Sequence, residues 1–262
     1  MDGILNVNKP SGITSYDVIR HIKRILAVER MATNKPLNRL KIGHAGTLDP
    51  FAEGVLLLLL GRSTKQSFSL MGSPKIYEGI ITLGTQTDTD DCTGRATAIV
   101  PVPHLCVDDA RSAAQAFIGE IDQVPPAYSA LHWGGRRLYD LARAGVALEI
   151  PSRKVHVYEF EILNFFDSAA PFSPPTAPSP SPASPRTRAL SFRARVGRGV
   201  YLRSLARDLG RALGTAAHMS ALNRLAVGPY ELSQAVTLDR LQSEQDLLTH
   251  LLDYNMCKTL AV

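Results

Sequence analysis

Gly43-His44-Ala45-Gly46-Thr47-Leu48-Asp49-Pro50, followed by Ala52, Gly54 and the apolar run Val55 to Leu60, is the stretch on which the fold turns. Gly43, Gly46 and Gly54 bracket Asp49, and Pro50 drives Asp49 out of the helical region, so the carboxylate sits on a stiff, irregular loop. On the loop alone two readings stand: an aspartate that caps a turn, or a reactive carboxylate held out for chemistry. Val55 to Leu60 predicts a strand buried on both faces, ended by Gly61 and followed by a short helix through Lys65 and Phe68.

Upstream, Ile4-Leu5-Asn6-Val7 predicts a short strand, and Thr14 or Ser15 caps a helix whose apolar positions Val18, Ile22, Ile25 and Leu26 recur at helical spacing. The polar, basic segment Met31 to Lys41 breaks that pattern and reads as an exposed loop. Downstream, strands are expected at Ile76 to Leu83, Arg153 to Phe166 and Ala189 to Val196, and helices at Asp108 or Asp109 to Phe117, Arg136 to Arg143 and Val200 to Leu213. The last of these carries Arg203, Arg207 and Arg211 on one face. Pro171 to Pro185 is almost wholly Pro, Ser and Ala and builds no core. The expected class is α+β, with a mixed, mostly antiparallel sheet flanked by helices: one catalytic domain over 1–240 with an inserted loop at 167–188, then a short tail at 241–262.

The 262 residues are 45% hydrophobic and 20% charged, which excludes wholesale disorder. A net charge of +5 suits an anionic partner such as nucleic acid without specifying one. Met1-Asp2-Gly3 lacks the features of a signal peptide and the longest apolar run is too short for a bilayer, so a cytoplasmic protein with no membrane contact is expected. Cys92, Cys106 and Cys257 fit neither a disulfide framework nor a zinc knuckle. Several motifs fail on inspection. No glycine-flanked serine supports a Ser-His-Asp triad, and no lysine follows Gly61 to make a P-loop. Asp88 to Gly94 opens like a calcium loop, but its glycine falls one place late and Ile99 stands where the terminal glutamate belongs. The histidines lack metal spacing. The chemistry therefore falls to organic side chains, with no cofactor and no metal. Taken singly, Tyr77 reads as strand packing, Arg203 as part of a solvated basic face and His44 as a turn residue, each with a functional alternative.

Several blocks agree in order with one family. Asn8-Lys9-Pro10-Ser11-Gly12-Ile13-Thr14-Ser15, the Gly43 to Pro50 run with Ala52, Gly54 and Leu56, Gly84 through Asp91 with Gly94, Gln123-Val124-Pro125-Pro126-Ala127-Tyr128-Ser129-Ala130, and Gly199-Val200-Tyr201-Leu202-Arg203 together resemble the TruB family of tRNA pseudouridine synthases. The resemblance covers roughly residues 1 to 240 apart from insertions. It implies a pseudouridine synthase-like fold, with Asp49 as the essential aspartate, Tyr77 as the active-site tyrosine and Arg203 as the partner that pairs with the aspartate. It implies a flipped-out uridine of the tRNA T arm, at position 55, as substrate, with His44 in the space left behind. Lys9, Lys65, Tyr201 and Leu222 complete the substrate-binding set. From charge and position, Lys9, Lys65, Arg136, Arg137 and Arg207 are assigned as phosphate contacts. The chain is expected to act as a monomer. It departs from typical bacterial members in having too few C-terminal residues for a PUA-like module and in its insertions at 31–41 and 167–188. Two other readings are an RNA-binding protein that folds tRNA with catalysis secondary, which the intact Asp49 motif disfavours, and a guide-dependent, dyskerin-like synthase acting on ribosomal RNA, which the missing module disfavours.

Overall fold

The computed structural model describes residues 1–32, 40–129, 131–133, 136–138, 150–168 and 187–252. In chain order come β1 (Gly3–Lys9), α1 (Ser15–Ala32), β2 (Ile42–His44), β3 (Glu53–Leu60), a 3-10 turn (Gly61–Gln66), α2 (Ser67–Gly72) and β4 (Lys75–Leu83). Then follow β5 (Thr85–Thr87), β6 (Ala96–Ile99), α3 (Val107–Gln115), β7 (Gly119–Gln123), β8 (His132–Trp133), β9 (Arg136–Arg137), β10 (Arg153–Ser168) and β11 (Thr187–Val196). The chain continues through α4 (Leu202–Ala212), β12 (Ala217–Val227), β13 (Tyr230–Glu231), β14 (Val236–Thr237), α5 (Glu244–Thr249) and β15 (Leu251–Leu252). The class is α+β, and the chain forms two compact units: Met1–Tyr77 with Asn223–Val262, and Glu78–Leu222. Among the described residues no helix is long and apolar enough to cross a membrane.

The first unit is a mixed sheet. β3 pairs antiparallel with β1 and with β2, β1 pairs parallel with β14, and Asn223 and Arg224 of β12 pair parallel with Glu53 and Gly54 of β3. Val55 to Leu60 is fully buried, as the continuous apolar run predicts. Alternation divides the run between two cores. Leu56, Leu58 and Leu60 meet Val18, Ile22, Ile25 and Leu26 of α1 on one face, while Val55, Leu57 and Leu59 meet Ala45, Leu70, Val227 and Tyr230 on the other. Each such leucine contributes about 1.5–3 kcal/mol by burial. The cap of α1 is Thr14, whose Oγ1 accepts from Asp17 N at 3.0 Å while Thr14 N donates to Asp17 Oδ2 at 2.8 Å. Ser15 is thereby released for another task.

The second unit is antiparallel: β10 pairs with β7 on one side and with β11 on the other, the latter with two breaks in register along its length. Phe160 anchors its core, with ring centroids 5.6 Å from Phe192 and 6.3 Å from Phe117, both edge-on. α4 packs tightly enough that a Cβ on Gly210 would come within 2.5 Å of Ala217 Cβ. Two expectations change here. Arg136 and Arg137 are strand, paired with Trp133 and His132, so the expected helix does not begin at Arg136; residues 139–143 lie outside the described residues. The face of α4 is not a solvated basic stripe, because Arg203 and Arg207 are buried and only Arg211 is exposed. Most of the insertion at 31–41, most of that at 167–188 and residues 253–262 also lie outside the described residues.

Candidate active site

The loop carrying Asp49 is tied down at nearly every residue. β2 delivers His44 opposite Leu58, and Ala45 N donates to Leu57 O at 3.0 Å. Gly46 then takes φ +105°, a turn open to glycine at little cost. Ser15 Oγ donates to Leu48 O and accepts from Leu48 N, both at 2.9 Å. Ala52 N closes a turn onto Asp49 O at 3.1 Å, Gly12 N donates to Pro50 O at 2.8 Å, and Ser11 Oγ donates to Phe51 O at 2.7 Å. The N-terminal block Asn8 to Ser15 is thus the bracket that holds the loop, which explains why both stretches carry sequence signal. Asp49 itself stays partly exposed, between buried Leu48 and exposed Pro50.

Lys9 belongs to the bracket. Its side chain is wholly buried, and Nζ donates to Pro10 O and Ile13 O at 2.8 Å each and to Pro50 O at 3.4 Å. Burial pushes the ammonium down to about 8, against the pull of the Asp49 carboxylate and aided by the Arg224 charge. The geometry makes Lys9 a support of the loop in place of the exposed phosphate contact assigned from its charge. His44 is half-buried, and burial first, then the Arg224 charge, holds its imidazole below the ordinary histidine range, favouring the neutral ring.

Arg224 is the residue that sequence reading missed. It lies in β12 with 1% of its surface exposed and reaches back over the loop. Nε donates to Val55 O at 2.6 Å, Nη2 to Gly46 O at 3.3 Å, and Nη1 to Thr47 O at 3.3 Å and Tyr77 Oη at 3.5 Å. Tyr77, at 7% exposure, is buried in β4. The first unit therefore gathers Lys9, His44, Asp49 and Tyr77 around one loop, with Arg224 beneath them. The available signal was an arginine directly before the apolar run Leu225 to Val227 and two places after Leu222, where only a buried partner set makes it tolerable. Lys65 stands exposed on the 3-10 turn, free of the bracket.

The second unit holds Arg203, Tyr201 and Leu222. Arg203, 4% exposed, donates from Nη1 to Thr89 O at 2.8 Å and from Nη2 to Tyr128 O at 3.0 Å, and lies 3.3 Å from Asp91 Oδ2. Asp91 Oδ1 in turn accepts from Thr89 Oγ1, Thr93 N and Thr93 Oγ1 at 2.8, 2.9 and 2.6 Å. Arg207 donates from Nη1 to buried Asp90 Oδ2 at 2.8 Å and from Nη2 to Val124 O at 2.9 Å, so it is a structural ion pair and not a phosphate contact. The calcium-like run Asp88 to Gly94 is accounted for: its aspartates serve two arginines and a turn. Gln123 fixes the start of α4, accepting from Tyr201 N at 2.8 Å and donating to Tyr201 O at 3.1 Å. Leu222 is buried at 6% exposure in β12.

The chain matches two family models. The N-terminal domain of the TruB family pseudouridylate synthases matches residues 33–175, and the tRNA pseudouridylate synthase B C-terminal domain matches residues 203–256. It is 38% identical over 257 residues to the tRNA pseudouridine synthase B of Bordetella avium (strain 197N), covering 97% of this chain and 93% of that one. To that of Geobacillus kaustophilus (strain HTA426) it is 39% identical over 247 residues, covering 92% of this chain and 76% of the relative. Among solved structures it resembles a chain of a Cbf5-Nop10-Gar1 complex with TM-score 0.61 and 29% identity, covering 92% of this chain and 53% of that chain, so it spans about half the length of that neighbour.

Proposed function

Because the chain belongs to the TruB family of pseudouridylate synthases, we propose that it converts the uridine at position 55, in the T arm of tRNA, to pseudouridine. It is an isomerase. The observation that carries the reading is the placement of Asp49: a half-buried residue on a loop bracketed by the N-terminal block, with Lys9 held against the same loop and Tyr77 reached through Arg224.

The reaction breaks the N1–C1′ bond, turns the uracil and joins C5 to C1′; C5 loses a proton and N1 gains one, so no oxidant is needed. Asp49 acts as its carboxylate, whether it attacks or takes a proton. The Lys9 ammonium favours that ionised form, and the pairing of Arg203 with Asp49 is part of the same proposal. Tyr77 stacks on the uracil. His44, held neutral, takes the space left by the flipped base, and Lys65 meets a phosphate. Tyr201 and Leu222 remain in the proposed binding set. A stand-alone enzyme is favoured over a guide-dependent one because the synthase B relatives match at higher identity and over most of their length.

The test is to incubate the purified chain with unmodified tRNA transcript, without guide RNA, and to map pseudouridine along it. Product at position 55 supports the reading; no product, or product only elsewhere, overturns it.

A further inference from the structure

An arginine buried without a carboxylate in its hydrogen-bond set is expensive, since uncharged oxygens return only part of the free energy lost on desolvating a cation. Arg224 is such a residue: it is 1% exposed, and among the described residues its hydrogen bonds go to carbonyl oxygens and to one phenol. Packing alone would be served as well by leucine or methionine at this strand position.

The acceptors fall in a pattern. Gly46 O and Thr47 O precede Asp49 and Val55 O follows it, so one guanidinium grips the Asp49 loop at both ends. Its fourth acceptor, Tyr77 Oη, belongs to a different element, β4. Close backbone contact seats the arginine: Gly54, at φ +104°, lies where an added Cβ would be 2.3 Å from Arg224 O. The planar fork supplies the reach to several oxygens that a lysine ammonium lacks.

We propose that Arg224 is a positioning residue for the reaction, fixing the Tyr77 ring and the Asp49 loop in one mutual geometry through a single guanidinium. The inference rests on the activity proposed above, and it also makes a claim about the free protein that needs no activity. Its effect is on the arrangement of the groups that meet the uridine, so it falls on the chemical step and not on RNA affinity. The same buried charge helps to keep His44 neutral.

The kinetic test compares Arg224→Lys and Arg224→Gln with the native chain in single-turnover reactions at saturating tRNA, each also made in a Tyr77→Phe background. The expected result is a rate constant lowered about tenfold or more with the RNA Kd within about threefold. In the Tyr77→Phe background the same substitutions cost about threefold or less, because one of the two groups being aligned has lost its tie. Unchanged rates in folded variants, or equal losses in both backgrounds, overturn the proposal. If neither Arg224 variant folds, the guanidinium is observed directly by nitrogen NMR in the native chain and in Tyr77→Phe. Slow rotation of the Arg224 Nη groups and a shift of the Nη1 signals on loss of the Tyr77 hydroxyl are expected; unshifted signals overturn it. A native chain that leaves tRNA unmodified would refute the proposed activity while the NMR comparison still decides the role of Arg224.

Discussion

Ser15 and Leu48 exchange two hydrogen bonds, the hydroxyl donating to the carbonyl and accepting from the amide at 2.9 Å each. The residue immediately before Asp49 is thereby pinned to the first turn of α1, at a site where Ser15 is only 3% exposed and water cannot replace the lost partner.

Ser15→Ala removes both bonds and strands a buried amide and carbonyl. The expected loss is about 1–3 kcal/mol of stability, read by urea denaturation, with slower turnover and little change in RNA affinity. A variant as stable and as fast as the native chain would show that Leu48 is held by other means.

Gly54→Ala places a Cβ 2.3 Å from Arg224 O and 2.4 Å from Asn223 Oδ1 at a backbone φ of +104°. Because the nearer obstacle is backbone, it cannot swing away, and a loss of about 3 kcal/mol or more is expected. Gly12→Ala is the control: its φ is +87° but nothing lies within 4 Å, so only the left-handed strain of about 1–2 kcal/mol applies. Thermal melts of the two variants should separate clearly.

Lys9 gives stability a pH signature. Its folded value of about 8 lies below the usual lysine value of 10.5, so below pH 8 both states are protonated and the burial penalty is present in full. Between about pH 8 and 10.5 the folded chain releases the proton first and the unfolded chain holds more, so stability contributed at this site rises with pH. Relative to Lys9→Met, the native chain should gain up to about 3 kcal/mol across that window in urea titrations. Parallel pH curves for the two proteins would contradict the assignment.

Salt dependence separates the phosphate contact from the structural pair. Lys65→Gln should lower the slope of log affinity for tRNA against log salt by about 1, as loss of one phosphate contact requires. Arg207→Gln should leave that slope unchanged while costing about 3–5 kcal/mol, because it leaves buried Asp90 without its ion pair.

Local patterns read well from sequence and distant partners did not. Val55 to Leu60 announced a doubly buried strand because both faces are apolar, and the Asp49 loop announced itself through its glycines and Pro50. Asp49, Tyr77 and Arg203 were singled out by their neighbours in the blocks of family likeness. Charge was a poor guide to exposure: Lys9 and Arg207 read as surface cations, yet Lys9 is buried on the carbonyls of Pro10, Ile13 and Pro50, and Arg207 on Asp90, 117 positions away. Arg224 escaped notice because Val55, whose carbonyl it holds, is 169 positions away. The helix expected from Arg136 does not begin there, because Arg136 and Arg137 pair with Trp133 and His132 in a short strand; residues 139–143 lie outside the described residues.

The central claim concerns Asp49, and the most direct measurement is single-turnover conversion of unmodified tRNA by Asp49→Asn, with RNA affinity measured alongside. The substitution keeps the shape of the side chain and removes its charge. The account predicts an RNA Kd within about threefold of the native chain and a rate of pseudouridine formation lower by about a thousandfold or more. Conversion by Asp49→Asn at a rate comparable with the native chain would contradict it.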